Sequence, residues 1–185
     1  MQMNLFAYDT LIIQQVSSFV TNDFEIQNPD GQVVARINTE GSLGSRLLKG
    51  DRHFSLIDAS EIPVLKVRDP MNFVRDTFEI DDPEGRALAH VRKRFTFFNK
   101  RMDLELPSGA VIEMHGNVFG LDFEFRMGDK VPAKVSRNWS GIAKGFLGRS
   151  TYVLNFDREA PEDLRKIILG GMVALDLIRA KESNN

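Results

Sequence analysis

Hydrophobic and polar residues alternate along much of the chain, which is the pattern of β-strands that turn one face to a core. Three stretches share one form, in which an apolar strand that begins at Phe leads through a turn of the Asp/Pro/Gly type into a second apolar strand. The outer apolar positions are 13 residues apart each time: Phe24 and Ile37, Phe54 and Val67, Phe78 and Val91. These stretches are predicted to be three similar β-hairpins.

Further strands follow the same alternation. Two hairpins with shorter turns are predicted at 102–114 and 122–135, and single strands at 10–16, 95–98 and 152–156. Five hairpins in a chain of 185 residues predict an all-β sandwich or barrel. Residues 41–51 are predicted to form a loop with a short helical turn. Since no stretch resembles an interdomain linker, we expect a single domain over residues 1–185.

One long helix is predicted last, with Pro161 in its first turn and with Glu162 and Asp163 placed to stabilise the helix dipole. Its apolar residues form two stripes on different sides, namely Leu164, Ile167, Ile168, Met172, Leu175 and Ile178, and then Leu169, Val173 and Leu177. A helix that is apolar on both sides is usually enclosed by protein or lipid. The apolar run covers 12 residues, whereas a membrane span needs about 20. We therefore expect this helix inside a barrel, where Gly170 and Gly171 let the wall come close.

Composition narrows the class of protein. A chain with 42% hydrophobic and 27% charged residues is typical of soluble globular proteins. The net charge of −2 supplies no basic field, so we expect no nucleic-acid partner. Cysteine is absent from the sequence, which excludes disulfides, thiolate metal sites, thiol nucleophiles and palmitoyl anchors. The first residues lack the features of a signal peptide, and we expect a cytoplasmic protein.

Candidate catalytic and metal sites are weak. His53, His90 and His115 fall in three different hairpins, and none has a partner nearby in sequence at metal-ligand spacing. The acidic group Asp157, Glu159, Glu162 and Asp163 is interpreted as helix N-terminal acids rather than a calcium site. No nucleophile elbow, phosphate-binding loop or zinc motif is present. We expect no enzymatic activity, no metal and no cofactor.

The sharpest local feature is a basic segment at 90–103, where five Lys and Arg residues surround a Phe-Thr-Phe-Phe stretch. Outward-facing basic side chains on neighbouring strands would form a positive patch for anionic lipid headgroups. The candidate headgroup-binding residues are Arg92, Arg94, Lys100, Arg101, Arg137 and Lys144. The alternative interpretation is a solvated strand face without a ligand.

Residues 133–178 resemble the C-terminal half of the phospholipid scramblase and LURP-one-related group, in the Tubby-like superfamily. The residues that carry the resemblance are Val135-Ser136-Arg137, Trp139-Ser140-Gly141, the aromatic strand at 152–156 and Leu175-Asp176. Upstream, Arg68-Asp69-Pro70 and the 78–91 hairpin resemble further family elements, so that the similarity covers roughly residues 8–180. The resemblance implies a mainly β fold: a twelve-stranded antiparallel Tubby-like barrel that encloses the hydrophobic C-terminal helix.

Members of this group are described as lipid scramblases, phosphoinositide-binding transcription regulators and plant defence proteins. Where scramblases carry an acidic stretch, this chain has residues 147–151, with Arg149 and no carboxylate, which disfavours calcium-activated scrambling. We expect a non-enzymatic barrel that binds anionic phospholipid or phosphoinositide headgroups, peripherally at a membrane. The alternatives are scramblase-like translocation of phospholipid and a soluble interaction or scaffold module.

Four residues of the family motif are assigned structural roles: Trp139, Ser140, Gly141 and Asp176. We expect Trp139 to pack at the end or wall of the barrel rather than contact a ligand. Asp176 stands alone as an acid in an apolar helix, and a buried carboxylate needs a partner. We expect that partner to be the backbone or an arginine at one mouth of the barrel.

Overall fold

Twelve β-strands form a closed barrel in the computed structural model, which describes residues 4–15, 24–40, 52–69, 77–95, 100–137 and 151–183. The strands are β1 (Thr10–Gln15), β2 (Phe24–Gln27), β3 (Val33–Glu40), β4 (Arg52–Asp58), β5 (Pro63–Asp69), β6 (Thr77–Asp81), β7 (Ala87–Phe95), β8 (Lys100–Glu105), β9 (Val111–Asn117), β10 (Asp122–Met127), β11 (Lys130–Ser136) and β12 (Thr151–Phe156). Each pairs antiparallel with its sequence neighbour, and β12 pairs with β1 to close the barrel. The expected twelve-stranded, mainly β fold is confirmed.

The repeated spacing of 13 residues is the register of three hairpins. Phe24 is the Cα partner of Ile37, Phe54 of Val67 and Phe78 of Val91. All six side chains are buried in the barrel core. The hairpins predicted at 102–114 and 122–135 also form, as β8–β9 and β10–β11. Residues 41–51 and 96–98, predicted as a loop and as most of a strand, lie outside the described residues.

Four hairpin turns have one backbone design. In each turn, the N–H of the first residue donates to the carbonyl of the residue four positions later. The carbonyl of the first residue accepts the N–H of the residue three positions later. That later residue has a left-handed backbone, with φ of 80° at Gly31, 61° at Glu61, 87° at Gly85 and 86° at Gly109. Glycine adopts this conformation without a steric penalty, whereas other residues pay about 1 kcal/mol or more. Glu61 is therefore strained where the other three turns have glycine.

We predict that Glu61→Gly raises the free energy of unfolding, because glycine removes the left-handed strain at this position. The gain is a few tenths of a kcal/mol up to about 1 kcal/mol, since glycine also loses more entropy on folding. Urea unfolding measures it. Ser60→Gly in the same turn is the control, and it should give no gain because Ser60 has no positive φ. Equal effects of the two changes would contradict the strain at Glu61.

The two ends of the barrel differ in their connections. At one end, the turn end, the five hairpins close with short turns and β12 leads into the C-terminal helix. At the other, the loop end, β1, β3, β5, β7, β9 and β11 finish, and their connections to the next strands include 16–23, 41–51, 70–76 and 137–150. Because neighbouring strands are antiparallel, every connection is assigned to one end by the topology alone.

The C-terminal helix α1 (Glu162–Ser183) runs from the turn end to the loop end inside the barrel. Every residue from 167 to 178 is buried, and the apolar residues of this stretch belong to one core cluster with the strand side chains. The predicted enclosure is thus confirmed. Pro161 differs slightly from its predicted position: it precedes the first helical residue, and its carbonyl accepts the backbone N–H of Arg165.

Two adjacent glycines bring the helix against the wall. A Cβ at Gly170 would lie 2.6 Å from Cγ2 of Ile80 on β6, and a Cβ at Gly171 would lie 2.9 Å from Cδ1 of Leu104 on β8. Real Cβ contacts are essentially never that short. The methyl Cγ2 of Ile80 is attached directly to its Cβ and moves little, whereas the terminal methyls of Leu104 can rotate away.

We predict that Gly170→Ala lowers the free energy of unfolding by about 1–3 kcal/mol, although alanine favours helix by about 1 kcal/mol. Gly171→Ala should cost less, because Leu104 can adjust. Chemical denaturation of both variants tests this order. The double variant Gly170→Ala, Ile80→Ala should be less destabilised than the sum of the two single changes. Additive effects would show that Ile80 is not the obstacle.

Candidate functional site

Most of the predicted headgroup-binding residues belong to the loop end. Arg92 pairs in register with Thr77, the first residue of β6, and Arg94 pairs with Arg101. Lys100 begins β8 opposite Phe95. Arg137 directly follows β11 and is exposed. The topology therefore places these five residues at one end of the barrel, which the sequence alone did not specify.

The remaining predicted residues lie in the connection between β11 and β12. Lys144 and the motif residues Trp139, Ser140 and Gly141 are outside the described residues. For Arg94, Lys100 and Arg101, the structure describes the backbone only. The packing role predicted for Trp139 thus stays a prediction.

Arg92 is not a free cation. Its Nη2 lies 3.2 Å from Oε2 of Glu105 on β8, and about half of its side chain is exposed. Directly opposite Arg92 in register, Asp103 is buried. The patch predicted from sequence is therefore partly neutralised at this position, because the neighbouring strand contributes carboxylates as well as basic residues.

The barrel wall shows the same cross-strand pairing. Arg68 on β5 contacts both Glu79 and Asp81 on β6, at 2.5 Å and 2.9 Å. Lys134 on β11 lies 3.8 Å from Glu124 on β10. These pairs offset opposite charges on the wall where they occur.

Asp176 is held by two side chains near the loop end. The hydroxyl of Tyr152, in the second position of β12, donates a hydrogen bond to Oδ2 of Asp176. Nη1 of Arg179, one helical turn further on, lies 3.4 Å from Oδ1. The predicted arginine partner is present, whereas tyrosine takes the place suggested for the backbone. The sequence marked Tyr152 only as part of an aromatic strand.

Burial governs the protonation of this cluster. It raises the pKa of the Asp176 carboxyl from 3.8 to about 6, although the hydrogen bond from Tyr152 and the guanidinium groups of Arg179 and Arg137 lower it. Burial and the charge of Asp176 raise the pKa of the Tyr152 hydroxyl well above its usual value. Tyr152 therefore stays protonated and remains the donor, while Asp176 changes charge close to neutral pH.

We predict that neutralising Asp176 flattens the dependence of stability on pH. Because the pKa of Asp176 is higher in the folded chain, its contribution is full below pH 3.8 and is lost as the pH rises through about 6. Between pH 5 and pH 8 the wild type should lose on the order of 1 kcal/mol more unfolding free energy than Asp176→Asn.

Urea unfolding of both proteins at several pH values in this range makes the comparison. The exposed carboxylate variant Asp122→Asn serves as the control and should follow the wild-type curve. Parallel curves for the wild type and Asp176→Asn would contradict the assignment of this dependence to Asp176.

A second buried polar group, Arg165, was not identified from the sequence. Its guanidinium donates to the carbonyls of Ala160, Phe6, Tyr8, Asp157 and Arg158, and to a carboxylate oxygen of Asp9 at 2.8 Å. It also lies 5.2 Å from the ring centre of Phe156. This network joins the start of α1 to the segment before β1 at the turn end. Because every residue has a main-chain carbonyl, a sequence does not show which carbonyls accept hydrogen bonds, and no pattern predicted the role of Arg165.

The three histidines, interpreted from the sequence as strand residues, lie on three different strands. His53 lies on β4, His90 on β7 and His115 on β9. Around the helix start, Oδ1 of Asp157 accepts the backbone N–H of Glu159. Within the described ranges, no three His, Asp or Glu side chains come together in a way that could hold a metal ion.

Comparison with known proteins gives a family and a fold. The family model described as LURP-one-related matches residues 9–176. The X-ray structure of a protein from Arabidopsis thaliana is similar, with a TM-score of 0.58, 16% sequence identity, and coverage of 92% of this chain and 91% of that chain. At this identity the similarity shows the fold alone. No curated protein matches the chain.

Over the part of the chain that the structure describes, no helix combines the length and the apolar character needed to cross a bilayer.

Proposed function

The chain belongs to the LURP-one-related family, and from this premise we propose that it is a non-enzymatic module that binds anionic phospholipid headgroups at a membrane surface. The contact is made by the loop end of the barrel. The protein acts in the cytoplasm and attaches to the membrane peripherally and reversibly.

The observation that carries the proposal is the charge of the connections. Those at the loop end, including 118–121 and 96–99, contain six Lys or Arg and three Asp or Glu. Those at the turn end, counted from the end of one strand to the start of the next element, contain two Lys or Arg and seven Asp or Glu. Although the net charge of the chain is −2, the connections at the two ends of the barrel have net charges of opposite sign. A barrel with this distribution of charge turns its basic end toward anionic lipid.

The β7–β8 hairpin adds to the basic end. Arg94 and Arg101 are register partners, and Lys100 starts the next strand. Like charges directly opposite one another on a sheet are unfavourable unless an anion or a carboxylate lies near them. Headgroup phosphates would supply such anions, and each basic residue near an anionic surface contributes about 1 kcal/mol.

Enclosure of α1 favours surface binding over phospholipid translocation. The barrel covers the helix from 167 to 178, where every residue is buried and the apolar side chains belong to the core. Scramblase-like movement of lipid through this chain would need that barrel to open, with loss of the core. Binding at the outside leaves the core intact.

We predict that the protein sediments with vesicles of phosphatidylserine and phosphatidylcholine, but not with phosphatidylcholine alone. Binding should weaken steeply from 50 mM to 300 mM salt. The triple variant Arg94→Gln, Arg101→Gln, Arg137→Gln should bind about a hundredfold more weakly, since three basic residues are lost.

The matched control is Arg86→Gln, Lys130→Gln, Arg158→Gln, which removes the same charge from exposed residues at the turn end. It should retain most of the binding. Equal losses in the two triple variants would show that net charge, not the loop end, is responsible. No binding to anionic vesicles at low salt would favour the alternative of a soluble interaction module.

A further inference from the structure

A second surface lies at the turn end, remote from the lipid contact proposed above. Between the second and third hairpin turns and the start of α1 there is a cleft open to solvent, with a volume of about 700 Å³. The apolar residues that line it, which we call its floor, include Phe6, Val64, Leu88 and Ile167. Val64 and Leu88 are only partly buried. Ile62, 44% exposed, stands beside the cleft residue Pro63.

We call the charged residues that line the cleft its rim, and most of them are acidic. Five acidic residues line it against two basic ones: Asp58, Asp82, Glu84, Glu162 and Asp163 against Arg86 and Lys166. Arg86 already contacts Asp82 at 2.5 Å and Glu84 at 3.6 Å. Glu162 and Asp163 are exposed, and within the described residues neither has an ion-pair partner. The rim therefore has an unbalanced negative charge next to an apolar floor.

Local structure explains single acids but not their arrangement. Asp58 and Asp82 accept backbone N–H groups of their own turns, and acids in the first turn of α1 stabilise the helix dipole. Neither role requires partly exposed apolar residues between them. The combination of an apolar floor and an acidic rim is complementary to a ligand that is both apolar and cationic.

We propose that this cleft docks a short peptide segment of a partner protein, with an apolar anchor residue flanked by Lys or Arg. The anchor covers Val64 and Leu88, and the flanking cations lie beside Glu162 and Asp163. A small cation would gain nothing from the floor, and an acidic or purely apolar segment would desolvate the carboxylates without pairing them. The barrel then has two binding ends, one for anionic lipid and one for a basic peptide.

The test uses the full chain and a fluorescein-labelled peptide, Lys-Arg-Leu-Phe-Arg-Lys, in a fluorescence anisotropy titration. We expect saturable binding. Glu162→Gln with Asp163→Asn should raise the Kd about threefold to tenfold, because two exposed carboxylates are lost. Asp122→Asn with Asp129→Asn removes the same charge from exposed positions outside the cleft and should leave the Kd unchanged.

A second readout keeps the proposal testable if the rim variant is poorly folded. Amide chemical shifts of the wild type, recorded with the peptide, should change around Val64 and Leu88 and not at the loop end. A peptide with Gly-Ser in place of Leu-Phe should bind more weakly. Equal binding of that peptide, equal losses in both double variants, or shifts away from the cleft would each overturn the proposal. So would dimerisation of the chain through this cleft in sedimentation equilibrium.

Discussion

An apolar helix that must contact protein on every side is the constraint on which the rest of the structure depends. Between 167 and 178, Asp176 is the one charged side chain, and all twelve residues are buried. A single sheet covers one face of a helix, so full enclosure requires a sheet that closes on itself. Closure is made by β12 and β1, and Gly170 and Gly171 let the wall reach the helix backbone. The fold and the helix sequence thus require each other.

Polar groups at its two ends fix the helix along the barrel. Apolar burial is non-directional and by itself specifies no axial position. The guanidinium of Arg165 donates hydrogen bonds to five carbonyls and one carboxylate. These acceptors belong to the segment before β1 and to the β12–α1 connection. Asp176, about 16 Å further along the helix, accepts the Tyr152 hydroxyl at the other end. A shift of one turn would leave these buried groups unpaired, which is costly.

The sequence predicted the features that depend on local periodicity. It did not predict the features that depend on contacts between distant segments. The 13-residue spacing of Phe78 and Val91 proved to be a hairpin register, and the two apolar stripes correctly predicted an enclosed helix. The twelve strands followed from family resemblance, because closure joins Thr10 to Asn155, far apart in the chain. The grouping of basic residues at one end of the barrel depends on strand order. No local pattern carries that information.

The barrel wall and the two ends of the barrel differ in their distribution of charge. On the wall, cross-strand pairs such as Lys134 with Glu124 set opposite charges against each other. At the two ends, the charges of the connections differ in sign. Since α1 is fixed inside, its apolar surface takes no part in binding while the barrel stays closed. The two ends of the barrel therefore differ in the sign of the charge that their connections carry.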